Sequence, residues 1–482
     1  MNRTDSHPKS HGILQKFAYL LGAFWIREGL RAVFLISLAR QSTTTYGEFM
    51  LAMTIGQILL FVAEFGLNQH LVSLLVKKGD EASDLLLQAS VLKGALLLCG
   101  CVGTFVFVQW QGYPLNLKLL VFVLAMGIGL EAVASSFFVA CQVQGRQDAE
   151  GKVKTVAATF GFGYGLAMLF SGAAPLLTAF FKGIETLVNL CGAVLVSRRR
   201  RLLKVQWPRL WSLWATARGS LVFTFMAIAT SLYNSANVFF LQNVAGAESV
   251  AQYSVTWEMV DGISGLTASL LLRNVLFPLF VNLWGNDREE LNRLVQESVR
   301  WLIAVAVPIM FFLAAESDRL ITLLYGPAYG NSIWMQRILV ITILIGFLHN
   351  LAAYLMISMN RQNLLLAFYL GGLAVNLALC SWLIPANPFM GAVLSIVLTK
   401  GLVAVATVSF CQMSFGLISL RTLGHLAGTI LAGGLLYVLG TSFLFREAAE
   451  VMALVPIVAL TIIWGRRFSL QRKEASRLPA SD

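Results

Sequence analysis

The sequence predicts an all-α integral membrane protein with fourteen transmembrane helices, arranged as two pseudo-symmetric six-helix lobes plus two extra C-terminal helices. Three observations carry this prediction. Of 482 residues, 57% are hydrophobic and only 12% charged, whereas soluble proteins average about 25% charged. Apolar runs of about 20 residues, enough to cross a hydrocarbon core about 30 Å thick, recur along the chain. Lysine and arginine concentrate in alternate connecting segments, as the positive-inside rule requires of a multi-span protein.

The first run, 13–38, follows the polar stretch MNRTDSHPKSHG. It is too long for the apolar region of a cleavable signal and is expected to stay in the membrane. Five more runs follow at 46–75, 85–108, 117–142, 153–171 and 174–196. The basic, Trp-rich segment SRRRRLLKVQWPRLWSLWATARGS then divides the chain. It is expected to lie along the inner leaflet, where each cation near an anionic surface gains about 1 kcal/mol. Its ordinary role is a positive-inside anchor; recognition of a specific lipid headgroup is the alternative. The second set of runs is 219–243, 250–283, 301–325, 333–358, 364–384 and 389–411, and the last two are 421–442 and 448–464. WGNDREELNRLVQESVR (284–300) mixes both charge signs at helical spacing, so it is expected to extend a helix at the interface or in the cytosol.

With the N-terminus placed in the cytoplasm, inward segments hold 25 of the 36 Lys and Arg, and outward loops hold only Arg40 and Arg446. This asymmetry accounts for the formal net charge of +12 and excludes nucleic acid as a partner. The halves resemble each other: TTTYGEFMLAMTIGQILL enters the second helix and SVAQYSVTWEMVDGISGL the eighth, each with a tyrosine (Tyr46, Tyr253) just past a short outward loop. Six helices return the chain to its starting side, so the lobes are expected to be related by an axis along the membrane normal. The expected division is an N-lobe at 1–197, a cytoplasmic linker at 198–218, a C-lobe at 219–412, and helices 13 and 14 with a basic cytoplasmic tail at 413–482.

Several chemistries are excluded. The six cysteines lie in apolar segments without zinc-like spacing, and the five histidines form no metal cluster. GRQDAEGKV (145–153) has the wrong spacing for a phosphate loop, and Val where Ser or Thr is needed; it also follows a membrane helix rather than a strand. GFGYG (161–165) lacks a βαβ context and reads as a close helix-packing motif. No cofactor or metal is expected.

FWIREGLRAVFLI (24–36) places three charges near the middle of the first helix: Arg27, Glu28 and Arg31. They fall within an arc of about 100°. Other mid-span ionisable residues are Glu64, Glu131, Lys182, Glu185, Glu258, Asp261, Arg273 and Lys400, with His349 nearer the inner end. At roughly 2.5–3.5 kcal/mol each, lipid-facing placement of all eleven would cost on the order of 30 kcal/mol, against a typical net fold stability of ~5–15 kcal/mol. Most must therefore face one another or water. Structural pairing is one reading: Lys182 with Glu185, and Glu28 with Arg31, each three residues apart. Arg273 could snorkel to the inner interface. Lys400 has no acid within one helical turn and favours a cavity position. Glu258 and Asp261, an acidic pair with no nearby base on the same helix, suit binding of a cation or sharing of a proton.

LARQSTTTYGEFMLAMTIGQILLFVAEFGLNQHLVSLLVKK (38–78), FPLF (277–280) and LYGPAYGNS (324–332) resemble exporters of the multidrug/oligosaccharidyl-lipid/polysaccharide superfamily. The similarity is to the polysaccharide and O-antigen branch and, more distantly, to the flippases of the peptidoglycan lipid precursor. Fourteen helices resemble the lipid-carrier branches more than the drug-efflux branch. The resemblance implies two six-helix lobes around a central cavity, alternating access, and a basic–acidic pair of helix one facing that cavity; Arg27–Glu28 is similar to that pair, with Glu in place of Asp. The implied function is a non-enzymatic bacterial inner-membrane flippase for a polyprenyl-pyrophosphate-linked glycan, either an O-antigen (lipopolysaccharide) or an exopolysaccharide repeat unit. On this reading Arg27, Arg31, Arg273 and Lys400 hold the phosphates, and Glu28, Glu64, Glu131, Glu258 and Asp261 are cavity acids or ion-coupling groups. The implied partners are the lipid-linked glycan, membrane lipids, a coupling sodium ion or proton, and the polysaccharide polymerase and glycosyltransferases of the same pathway. The alternative is a cation-coupled efflux pump for small organic cations, in which the acids dominate. A polymerase or ligase would need a sizeable outward loop, and the outward loops here are about eight residues or shorter.

Overall fold

The computed structural model describes residues 10–68, 71, 82–143, 147–199 and 210–475. Residues 200–209 of the basic linker, 145–146 of the phosphate-loop-like stretch and 476–482 of the tail lie outside the described residues. The chain is all-α, with no strand among the described residues.

The helices are α1 (Ser10–Gln41), α2 (Thr43–Glu64), α3 (Ala82–Trp110), α4 (Leu115–Gly129), α5 (Glu131–Val143), α6 (Gln147–Phe170), α7 (Pro175–Arg199) and α8 (Leu210–Thr267). A π-helical segment, Ala268–Leu276, leads into α9 (Phe277–Asn286) and α10 (Arg288–Ala315). Then come α11 (Ser317–Tyr325), α12 (Gly330–Leu339), α13 (Ile341–Ser358), α14 (Gln362–Ala386), α15 (Pro388–Phe415), α16 (Leu420–Phe443) and α17 (Arg446–Ala475). Polar side chains set several starts by accepting an otherwise orphaned backbone N–H. Ser42 caps α2 through Thr45 N (3.2 Å), Asp287 caps α10 through Glu290 N (2.9 Å), and Asn387 caps α15 through Met390 N (3.2 Å).

Twelve helices among the described residues, rather than fourteen, are long and apolar enough to cross a membrane. One of them, Ser220–Arg273, is 54 residues long and covers two expected spans. It is continuous except at Gly246, whose backbone is non-helical (φ 76°, ψ −177°). Helix α1 is long enough, but its central charges lower its apolarity. Several expected single helices are broken. The run 46–75 stops at Glu64, where Phe65 and Gly66 take positive φ. The run 117–142 divides at Leu130, 250–283 passes through the π-helical turn, and 301–325 divides at Glu316. The mixed-charge segment 284–300 does extend a helix, since α10 starts at Arg288 and runs unbroken to Ala315.

The chain packs as two compact units, Met1–Ser254 and Val255–Asp482. In the first, α6 packs along α7 and α1, and α2 along α4. Phe34, Phe162 and Phe181 form its aromatic centre, with the Phe34 and Phe181 centroids 4.4 Å apart. Gly161 makes the α6–α7 contact possible: a Cβ there would lie 2.5 Å from Glu185 Cβ and 2.9 Å from Phe181 O. The glycine spacing of GFGYG thus serves helix packing.

In the second unit, α15 packs on α13 and α14, and α17 packs on α16 and α10. An ion network joins the start of α17 to the end of α10. Arg446 forks onto Asp318 (2.7 and 2.9 Å), meets Glu316 (3.0 Å) and Glu450 (3.1 Å), and donates to Ala315 O. The Arg446 fork also holds the Asp318 carboxyl well below the usual carboxylate range.

Candidate functional site

In the first unit the mid-span charges form a closed ring. Arg27 of α1 reaches Glu131 Oε1 (3.2 Å) and Glu185 Oε1 (3.5 Å). Lys182 of α7 reaches Glu131 Oε2 (3.1 Å) and Glu185 Oε2 (2.8 Å). Each cation therefore touches both carboxylates, and the four charges sum to zero. Glu131 occupies the first turn of α5, where the helix dipole favours a carboxylate. Glu185 follows Lys182 by one turn of α7, and that pairing is the one their spacing implied. Gly161 lets α6 approach Glu185 closely. Arg27 and Glu131 remain 28% and 20% exposed, whereas Lys182 and Glu185 are nearly buried. The ring thus has a closed side toward α7 and an accessible side toward α1. Beside it Arg31 donates to Glu28 Oε2 at 3.4 Å, the second pairing implied by spacing.

Glu64 stands apart from this ring. Its Oε1 accepts from Asn68 Nδ2 (3.0 Å), and Asn68 Oδ1 accepts from Lys93 Nζ (2.6 Å). Lys93 is completely buried, and the sequence pattern alone does not mark it as part of a site. Its signal is a lone lysine in the apolar run LLQASVLKGALLL.

In the second unit Lys400 of α15 pairs with Asp261 Oδ1 of α8 at 2.8 Å, and its ammonium lies 4.3 Å from the centre of the Trp257 ring. Asp261 is thus committed to a base on another helix, which reading along one helix could not reveal. Trp257 was also missed, although it precedes Asp261 by one helical turn. Glu258 sits half-buried alongside. Arg273 lies in the π-helical segment, exposed, and makes no ion pair among the described residues. Farther along α15, Thr407 bonds His349 Nδ1 of α13 (3.1 Å), and Thr399 accepts from Asn376 Nδ2 of α14 (3.2 Å). Among the described residues no group of His, Cys, Asp and Glu suits a metal ion.

The sequence and fold compare with known proteins as follows. A family model described as "Polysaccharide biosynthesis protein" matches residues 38–334. No curated protein is significantly similar in sequence. A solved structure of the lipid II flippase MurJ, inward closed, superposes with TM-score 0.71 at 13% identity, covering 94% of this chain and 99% of that one. An inward-facing multidrug resistance MATE family transporter of the MOP superfamily gives TM-score 0.66 at 12% identity, over 83% of this chain and 98% of the other. A MOP superfamily transporter from Pyrococcus furiosus gives 0.59 at 11% identity, over 83% and 95%. With more than half its length matched by the family model, the chain belongs to the polysaccharide biosynthesis protein family, and its fold is that of the multidrug/oligosaccharidyl-lipid/polysaccharide exporters.

Proposed function

We propose that this membrane transporter is a bacterial inner-membrane flippase, translocating a polyprenyl-pyrophosphate-linked oligosaccharide by alternating access, with both termini cytoplasmic. The barrier it removes is polar. Each sugar hydroxyl stripped of hydrogen bonds in a hydrocarbon-like medium costs roughly 4–8 kcal/mol, and a pyrophosphate far more. The observation that carries the reading is the neutral ring of Arg27, Lys182, Glu131 and Glu185. Its accessible cation, Arg27, meets each of the two carboxylates through one nitrogen, and an arginine fork suits a phosphate as well as a carboxylate. An arriving phosphate exchanges with those carboxylates, so Arg27 is never stranded unpaired in the bilayer. Arg31, Arg273 and Lys400 are proposed as further headgroup contacts, and Glu28, Glu64, Glu258 and Asp261 as cavity acids. The family description and the superposition on a lipid II flippase support this substrate class.

The test is complementation. Deletion is expected to leave lipid-linked glycan on the inner leaflet, and Arg27→Ala/Arg31→Ala is expected not to relieve it. Full relief by the double variant would remove the phosphate assignment.

One observation favours the second reading, efflux of small organic cations. The Lys400 ammonium sits between a carboxylate and an aromatic ring, surroundings that a cationic solute could share. Drug susceptibility of an overexpressing strain separates the two: resistance to organic cations without any effect on lipid-linked glycan selects efflux.

A further inference from the structure

Lys93 is the most deeply placed cation among the described residues, with no exposed surface, and the ring of the first unit does not involve it. Its ammonium has three oxygen neighbours: Asn68 Oδ1 at 2.6 Å, Ala132 O at 2.9 Å and Ser135 Oγ at 2.9 Å. Three acceptors match the three N–H donors of a charged lysine; a neutral amine would turn its lone pair onto one of them. Ser135 donates its own proton to Ala132 O (2.7 Å), which leaves its lone pairs for Lys93 and for Asn68 Nδ2 (3.1 Å). Asn68 is oriented by charge, its oxygen toward the ammonium and its amide toward the Glu64 carboxylate. Among the described residues no carboxylate makes an ion pair with Lys93, and Glu64 acts on it through Asn68 and at longer range.

The backbone explains why these oxygens converge. Helix α2 ends at Glu64, and Phe65 (φ 48°) and Gly66 (φ 57°) turn the chain before Asn68. This is a helix end inside the apolar run. Gly66 also lies under α8: a Cβ there would sit 3.2 Å from Ser220 O and 3.3 Å from Phe223 Cβ.

We propose that Asn68 Oδ1, Ala132 O and Ser135 Oγ, with Glu64 as counter-charge, form a shell for a monovalent cation at the broken end of α2, and that the Lys93 ammonium fills it as a tethered ion. An inorganic coupling cation has no place in this shell while Lys93 is present. The role of the shell is to hold the break in α2 against α3 and α5. The proposal stands independently of the transported substrate.

The experiment uses the purified full-length protein in detergent near neutral pH, read by thermal unfolding. Lys93→Ala removes the atoms that n-propylammonium carries. The variant is expected to melt below the wild type, and n-propylammonium chloride to restore at least half of that loss with a saturating dose dependence. n-Propanol and choline chloride are expected to leave the variant unchanged, and none of the three to shift the wild type. Equal restoration by n-propanol, or a folded variant indifferent to n-propylammonium, overturns the proposal, because the shell would then not select a cation. Should Lys93→Ala yield no folded protein, the methionine variant gives a second reading. Lys93→Met/Glu64→Gln is expected to melt above Lys93→Met, because the second change removes the stranded counter-charge. If the double variant melts no higher, the pairing of Glu64 with the shell is wrong.

Discussion

Glu131→Gln tests the charge ring most directly. The change keeps the shape of the side chain and one accepting oxygen, but removes the charge that faces both Arg27 (3.2 Å) and Lys182 (3.1 Å). The ring then carries a net charge of +1, with Glu185 alone facing two cations. Removing one partner of a buried ion pair typically costs about 3–5 kcal/mol. Arg27 and Glu131 retain 28% and 20% of their surface, so water screens part of the loss, and Lys182 keeps its 2.8 Å contact to Glu185. A cost of about 2 kcal/mol follows. For a unit of the size of Met1–Ser254, each kcal/mol corresponds to roughly 2–4 °C in Tm, so a fall of about 4–8 °C is expected. Adding Arg27→Met restores neutrality, and the double variant is expected to recover about 1 kcal/mol relative to the sum of the single changes. Under the flippase reading, the single variant also binds a pyrophosphate-bearing lipid analogue more tightly, because Arg27 and Lys182 are left under-compensated. The assay is thermal unfolding in detergent alongside equilibrium binding of that analogue. A single variant as stable as the wild type, or a double variant that is merely additive, would refute the argument that the ring's charges are coupled.

Three further outcomes follow from the same geometry. Gly161→Ala drives a Cβ into Glu185 Cβ and Phe181 O; overpacking of this kind costs about 1–3 kcal/mol, so Tm is expected to drop while Gly163→Ala, facing open space, leaves it unchanged. Asp318 has its pKa depressed by Arg446, so its stabilising contribution is complete above the ordinary Asp value and is lost as pH falls through the lower folded value. Asp318→Asn is accordingly expected to lower Tm at pH 7 and to have a shrinking effect as the pH is taken down into the acid range, as read by melting curves across pH. Lys400→Met leaves Asp261 without its 2.8 Å partner, but Asp261 is 40% exposed, so the expected loss of stability is at most about 1 kcal/mol; a transport defect much larger than this would show that the ammonium acts on the substrate.

Much of the site was legible along the chain, but not its long-range pairings. Lys182–Glu185 and Glu28–Arg31 were readable because residues three apart share a helix face. The long-range partners were not. Arg27 with Glu131 is a contact across 104 positions and Lys400 with Asp261 one across 139, and no periodicity links such residues. Lys93 escaped because a lone cation in an apolar run looks the same whether it snorkels or is caged.

Apolar length, scarcity of charge and loop asymmetry determined by themselves that this chain is helical, multi-spanning and poor in charge. These properties follow from local composition and from the cost of unpaired backbone in lipid, which act on each segment independently. Which charges meet, where α2 and the eighth expected helix break, and which lysine is enclosed were decided only by tertiary packing. The reason is that an ion in a low-dielectric interior takes its state from the few ångströms around it, and those neighbours arrive from distant parts of the chain.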